Sequence, residues 1–415
     1  MKTAPDWLRL ARNHDYRLLW LGQTISTFGE SIYQVAFYWL AYEMTESAWL
    51  AGLVVFCASA PYLLFGLIGG VYADKWNRKS LMLFCDLIRA VAVAVVPALA
   101  LAGMLTVWHL ALIAFVLTSA RCFFHPSLNA AVAGVLDDDT RALGVSLVEG
   151  GFRAARLIGL ALGGILIELW GADQLYTIAI VTFFVSIGFV VPLRNVGHAE
   201  GEESEDNLLG ALGGTLRFLQ GHRDLFWGII LFGVGLMFVT GLERVALPHV
   251  ADQNWGAGAS GFGWVLAMIT IGYVFASLVI GRLQIKNPSL YIFGGWALWG
   301  VFFAALGLSE NIWIALSFAL LVGAVEAVVD IPLVVLIQTK TPGNRMGKVF
   351  SMWSTIAFIG ESLSALMIGA LISQSTAPAA FIMCAAGTVA MAIFGLIASR
   401  SRASDEPQAL EGGKS

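Results

Sequence analysis

Twelve apolar runs, separated mostly by short polar breaks, constrain this chain more than any other feature. A helix rises about 1.5 Å per residue, so roughly 20 apolar residues cross the hydrocarbon layer of a bilayer. The runs fall near 16–42, 49–73, 80–102, 107–131, 143–169, 173–193, 224–250, 259–282, 289–308, 311–336, 347–373 and 378–399. Lipid offers no partner for backbone N–H and C=O groups, so runs of this length predict spanning helices and an all-α integral membrane protein. Composition agrees: 58% of the residues are hydrophobic, only 13% are charged, and 45 glycines suit helices that pack closely in lipid. Trp49, Trp108, Trp170 and Trp255 stand at the ends of runs, where indoles meet headgroups.

One break is long. Residues 194–223 carry the acidic run Glu200, Glu202, Glu203, Glu205 and Asp206 and divide the twelve runs six and six. The expected organisation is an N-terminal six-helix bundle over 1–193, a linker over 194–223, and a C-terminal six-helix bundle with a short tail over 224–415. Placing the N-terminus in the cytoplasm leaves 19 of the 24 Lys and Arg residues in cytoplasmic segments, so the positive-inside rule puts both termini there. The polar N-terminus leads straight into a run long enough to span, which predicts an uncleaved signal anchor. The four cysteines lie inside apolar runs with no CxxC or metal-ligand spacing and read as small packing residues.

Internal repetition supports the division. Asp139-Thr140-Arg141-Ala142-Leu143-Gly144-Val145 opens the fifth run, and Gly343-Asn344-Arg345-Met346-Gly347-Lys348-Val349 opens the eleventh, with Arg and Val in register. Duplicated halves are a recurring plan in secondary transporters, with the cargo site between the halves near the midplane.

Charges inside spanning helices cost about 2.5–3.5 kcal/mol each on insertion scales, so each one kept points to a partner or a task. Six acids (Glu30, Asp86, Glu149, Glu326, Asp330, Glu361) face four arginines (Arg89, Arg121, Arg153, Arg156). The excess acid makes Glu30, Glu149, Glu326, Asp330 and Glu361 candidate proton carriers. Asp86 and Arg89 are one turn apart and are expected to pair; for Glu149 and Arg153, four apart, a pair of the same kind is the alternative to separate roles in the cavity. Glu326, Asp330 and Glu361 have no embedded basic neighbour in their own half of the sequence. Arg121 and Arg153 lie near the midplane as cavity or coupling residues. Tyr33 and Phe37, with Phe28, Tyr38 and Trp39, offer either an aromatic cavity wall or ordinary helix packing. His125 reads as a packing or hydrogen-bonding residue. Glu243 and Arg244 are expected at the outer interface with no chemical role.

The break after the second run reads Gly70-x-x-x-Asp74-Lys75-x-Asn77-Arg78-Lys79. This resembles the signature of the major facilitator superfamily between helices two and three, with Asn77 where a second glycine is usual. The resemblance implies that Gly70, Asp74, Arg78 and Lys79 belong to a cytoplasmic lock between the halves in the outward-open state. The segments from Arg17 through Gly29-Glu30, Asp86-Leu-Ile-Arg89, and Ala120-Arg121 through His125-Pro126 resemble the drug/proton antiporter branch that includes macrolide efflux proteins and siderophore exporters. Gly159-Leu160-Ala161-Leu162-Gly163-Gly164 departs from that branch's pattern at Leu160, where a proline is usual, and helix packing explains its glycines equally well.

The resemblance implies a proton-coupled exporter of amphipathic organic compounds in the inner membrane, working by alternating access. Export of one anionic metabolite, such as a siderophore, is the alternative. A membrane sensor or enzyme on the same scaffold stands further off, since no Walker loop, HExxH or nucleophile elbow is present. No cofactor beyond the coupling proton is expected. The expected partners are a small-molecule cargo and the bilayer, without nucleic acid, and the protein is expected to be a monomer.

Overall fold

The computed structural model describes residues 6–45, 47–194, 196, 208–283, 285 and 287–399, and the side chains of 6, 67–75, 138, 142, 208–212, 343 and 344 fall outside the description. Gly70 and Asp74 are among these, so that part of the expected lock lies outside the described residues.

The described residues form helices joined by short turns: α1 (Asp6–Arg12), α2 (His14–Glu43), α3 (Ala48–Lys75), α4 (Arg78–Leu101), α5 (Val107–Gly134), α6 (Asp138–Trp170) and α7 (Leu175–Val190). After α8 (Leu208–Gln220) come α9 (Arg223–Gly241), a π-helical turn (Leu242–Ala246), α10 (Leu247–Gln253), α11 (Gly258–Ile280), α12 (Pro288–Gly307), α13 (Ile312–Lys340), α14 (Gly343–Gln374) and α15 (Ala377–Ser399). Nine spans among the described residues are long and apolar enough to cross a membrane, and α7 is a shorter apolar helix. The remaining long helices, α2 and α6, hold Glu30 and the trio Glu149, Arg153 and Arg156.

Local chemistry sets the boundaries. The Asn13 side chain accepts from Tyr16 N–H at 3.1 Å and caps α2, and Asn77 accepts from Ser80 N–H at 3.0 Å and caps α4. Asn77 has φ −63° and ψ 114°. It therefore occupies its motif position as an extended N-cap, and the left-handed backbone that a glycine would supply is not used. The break in the seventh run has an equally local cause. Pro248 has no N–H for the carbonyl of Arg244, and its ring would strike that carbonyl in a regular α-helix. The chain widens there, and Leu247 N–H bonds Leu242 O, five residues back.

Helix α2 packs on α6 and α7, α3 on α5, and α4 on α5 and α7; farther along, α9 packs on α14 and α15, α11 on α13, and α12 on α13 and α15. The two largest crossings that join these groups are α3 with α14 and α6 with α11. Both are tightest at one end of the molecule, the far end, where α2 and α6 finish and α3 and α11 begin. There Gly52 and Gly369 oppose each other, and a Cβ on Gly164 would lie 3.0 Å from Gly263 Cα and run into Ala259 O. Hydrogen bonds close the same end: Tyr42 Oη donates to Asp252 at 2.8 Å, and Ser260 N–H donates to Glu168 at 3.0 Å. At the near end Arg78 bonds Ala130 O, Lys79 bonds Leu193 O and Lys340 pairs with Asp224, each inside its own half.

Candidate functional site

Between the two groups of helices lies a cavity in two joined chambers. The first, about 330 Å³, is walled by Tyr33, Phe37, Tyr38, Tyr62 and Phe358 and holds the charges Glu30, Arg121, Arg156, Arg244 and Glu361. The second, about 450 Å³, is acidic, with Glu149, Glu243, Glu326 and Asp330 around Arg153, Arg156 and Tyr273. Thr27, Glu30, Arg121 and Arg156 border both. Glu149, Arg153 and Arg156 are exposed although they lie well inside α6, as expected for groups on the wall of a water-accessible cavity.

The charges divide into paired and unpaired sets. Glu30 bridges two arginines, Arg89 at 3.0 Å and Arg121 at 2.9 Å. Arg89 also reaches Asp86 at 3.3 Å, and Asp86 accepts from Ser186 at 2.7 Å. Gln23 in turn donates to Ser186 at 2.9 Å. The Arg89 guanidinium lies 4.3 Å from the centroid of the Phe183 ring, a cation–π contact. Arg121 Nε donates to His125 Nε2 at 3.0 Å, which makes that nitrogen the acceptor. This chain of two acids and two arginines is neutral and ties α2, α4, α5 and α7 together. The expected pairing of Asp86 with Arg89 on one helix is present, and Glu30 extends it.

Other expected pairings differ. No Glu149–Arg153 ion pair forms among the described residues; Arg153 instead lies 4.6 Å from the Tyr273 ring centroid on α11, across the cavity. An aromatic face from the other half there competes with the acid one turn back on its own helix. Glu361 has a basic neighbour after all, Arg244 at 2.8 Å. Glu243 and Arg244 thus line the cavity and do not sit at the outer interface, because the helix runs on to Gln253 and the π turn adds a residue before that end. Glu326 and Asp330, one turn apart on α13, make no ion pair or side-chain hydrogen bond among the described residues. Tyr33 meets Tyr176 edge-on at 5.3 Å while bordering the cavity, and Phe37 is buried on its wall. Trp39 is used in packing, against Phe262 of the opposite half. The cysteines are free.

A family model described as transmembrane secretion effector matches residues 7–410. The chain belongs to this family of the major facilitator superfamily. The secretion effector relatives include the enterobactin exporter EntS of Shigella boydii, 26% identical over 383 residues and covering 89% of this chain and 88% of that protein. The multidrug efflux pump Tap of Mycolicibacterium fortuitum is 25% identical, covering 89% and 91%. Among solved structures, the nucleoside transporter NupG superposes with a TM-score of 0.71 at 13% identity, covering 94% of this chain and 100% of that one. A bacterial homologue of the lysosomal transporter Spinster, solved inward-facing and occupied, gives 0.71 at 15%, covering 94% and 96%. At these identities the solved structures establish a shared fold. Membership makes this chain a membrane transporter and not an enzyme. The sequence signal for the cavity placement of Glu243 and Arg244 is their position five and four residues before Pro248: a charged pair beside a proline within an apolar run marks an irregular turn whose charges face protein or water.

Proposed function

We propose that the protein exports amphipathic organic compounds across the inner membrane in exchange for protons. The observation that carries this is the division of charge in the cavity: an aromatic chamber whose acids are ion-paired opens into an acidic chamber where, beyond the shared and paired Glu30, the carboxylates Glu149, Glu243, Glu326 and Asp330 make no ion pair among the described residues. Twelve spanning helices in two six-helix bundles, 1–193 and 224–415, joined by the linker 194–223, rock about the cavity. The near end, with both termini, faces the cytoplasm, and a monomer suffices.

Glu326 and Asp330 carry the coupling proton. Two carboxylates one turn apart on one helix face repel when both are ionised, and a proton on either removes that repulsion. Cargo enters the aromatic chamber from the near end; cargo and proton then leave on opposite sides. A membrane potential of 100 mV gives about 2.3 kcal/mol per charge moved, or about fifty-fold in cargo concentration. Glu30 belongs to the framework, since Arg89 and Arg121 already compensate it. Arg78 and Lys79, with Gly70 and Asp74, form the near-end lock when that end closes. Their bonds to Ala130 and Leu193 inside one half suit the released state.

A second reading, export of one anionic metabolite, draws on Arg156, a cation bordering both chambers with no ion pair among the described residues, and on the enterobactin exporters among the relatives. The test is in everted membrane vesicles with an imposed pH gradient, adding ethidium and then a catecholate acid while a pH-sensitive dye is followed. Gradient collapse that needs this protein and is lost in Glu326→Gln with Asp330→Asn supports exchange, and the active compound fixes the sign of the cargo. Cargo movement with no proton movement overturns it.

A further inference from the structure

We propose that Glu243 is a third member of the proton-exchanging carboxylate cluster, delivered to it by the π turn ahead of Pro248. This rests on reading the acidic chamber as the proton site. Glu243 is half-buried and borders the same chamber as Glu326 and Asp330. Its chain neighbour Arg244 is its nearest source of compensation by sequence, yet Arg244 turns into the aromatic chamber and pairs with Glu361. No ion pair or side-chain hydrogen bond reaches the Glu243 carboxylate among the described residues.

The backbone explains why two adjacent charges serve different chambers. The turn Leu242–Ala246 is fixed at its start, where Gly241 N–H donates to Ser364 Oγ at 2.6 Å. A Cβ on Gly241 would also crowd Ile368 Cγ1 at 2.6 Å. It is fixed at its end by Pro248, which excludes the regular α-helical bond to Arg244 O. Arg244, held by Glu361 one turn before Ser364 on α14, cannot follow Glu243. The groups facing the Glu243 chamber are Glu30 from α2, Arg121 and His125 from α5, Glu149, Arg153 and Arg156 from α6, Tyr273 from α11, and Glu326 and Asp330 from α13. Five carboxylates there face three arginines; Glu30 is paired with Arg121, and of the two arginines left for the other four acids one already stacks on Tyr273. A charge excess of this kind on a half-buried cavity wall is relieved by proton uptake, and interacting carboxylates share the proton as a group.

The test is infrared difference spectroscopy of the full-length protein reconstituted in lipid, with the buffer switched between acidic and alkaline pH. The protonated-carboxyl stretching band reports buried acids that take up protons, without any cargo. Glu243→Gln is expected to lower the band change by about one third, if three acids contribute equally. Glu326→Gln and Asp330→Asn are expected to lower it likewise, and the conservative Glu243→Asp to keep the amplitude at a shifted frequency. Glu243→Asp also serves as the readout should Glu243→Gln fold poorly. An unchanged band in Glu243→Gln, with losses in the two α13 variants, removes Glu243 from the cluster and leaves the proposed function standing. No loss in any of the three variants overturns both.

Discussion

Asp86 and Arg89 are buried side by side in α4, and Arg89 is shared with Glu30 on α2. Removing one partner from a buried ion pair leaves the other uncompensated, a loss of about 3–5 kcal/mol. Asp86→Asn is therefore expected to lower the thermal midpoint of the detergent-solubilised protein well below that of the parent. A midpoint within a degree of the parent would mean that the network is not a framework element. The Asp86–Arg89 contact was legible because two charges three apart on a helix share a face. The extension to Glu30, and the capture of Glu361 by Arg244, were not, since both run between helices distant in sequence. Intrahelical spacing also misled: Glu149 and Arg153 satisfy the same rule, and an aromatic ring from α11 takes the arginine.

Each of the twelve expected runs coincides with a helix or, in the seventh, with α9, the π turn and α10. Length and apolarity are carried by the chain itself, so these elements could be read without knowing their neighbours. The glycines of the fifth run were legible as points of close approach, but their partners were not. Gly159 meets α2 at Phe28 and Ser31, whereas Gly164, one turn and a residue later, meets α11 at Ala259 and Gly263. This difference separates packing within one half from packing between halves. Gly164→Val would wedge α6 from α11 where backbones touch, while leaving the α2 contact at Gly159 alone. The expected outcome is greater labelling of a cysteine placed at Tyr38 by a membrane-impermeant maleimide from the far side. Unchanged labelling in a folded variant would place the closure of that end elsewhere.

At the scale of the whole molecule, contacts between the halves gather at the far end and the acidic chamber lies toward the near end, an arrangement that suits the proposed export. The sequence carried the superfamily through its motif and helix number. It did not carry the division of cavity charges into a compensated framework and an uncompensated cluster, which depends on the arrangement of six helices. That division is the central claim, and purified protein in proteoliposomes tests it by comparing two fluxes of one labelled cargo: counterflow, which needs no net proton movement, and uptake driven by a pH gradient. Glu326→Gln with Asp330→Asn is predicted to keep counterflow within about threefold of the parent and to lose proton-driven uptake. Proton-driven uptake that survives in that variant would contradict the account.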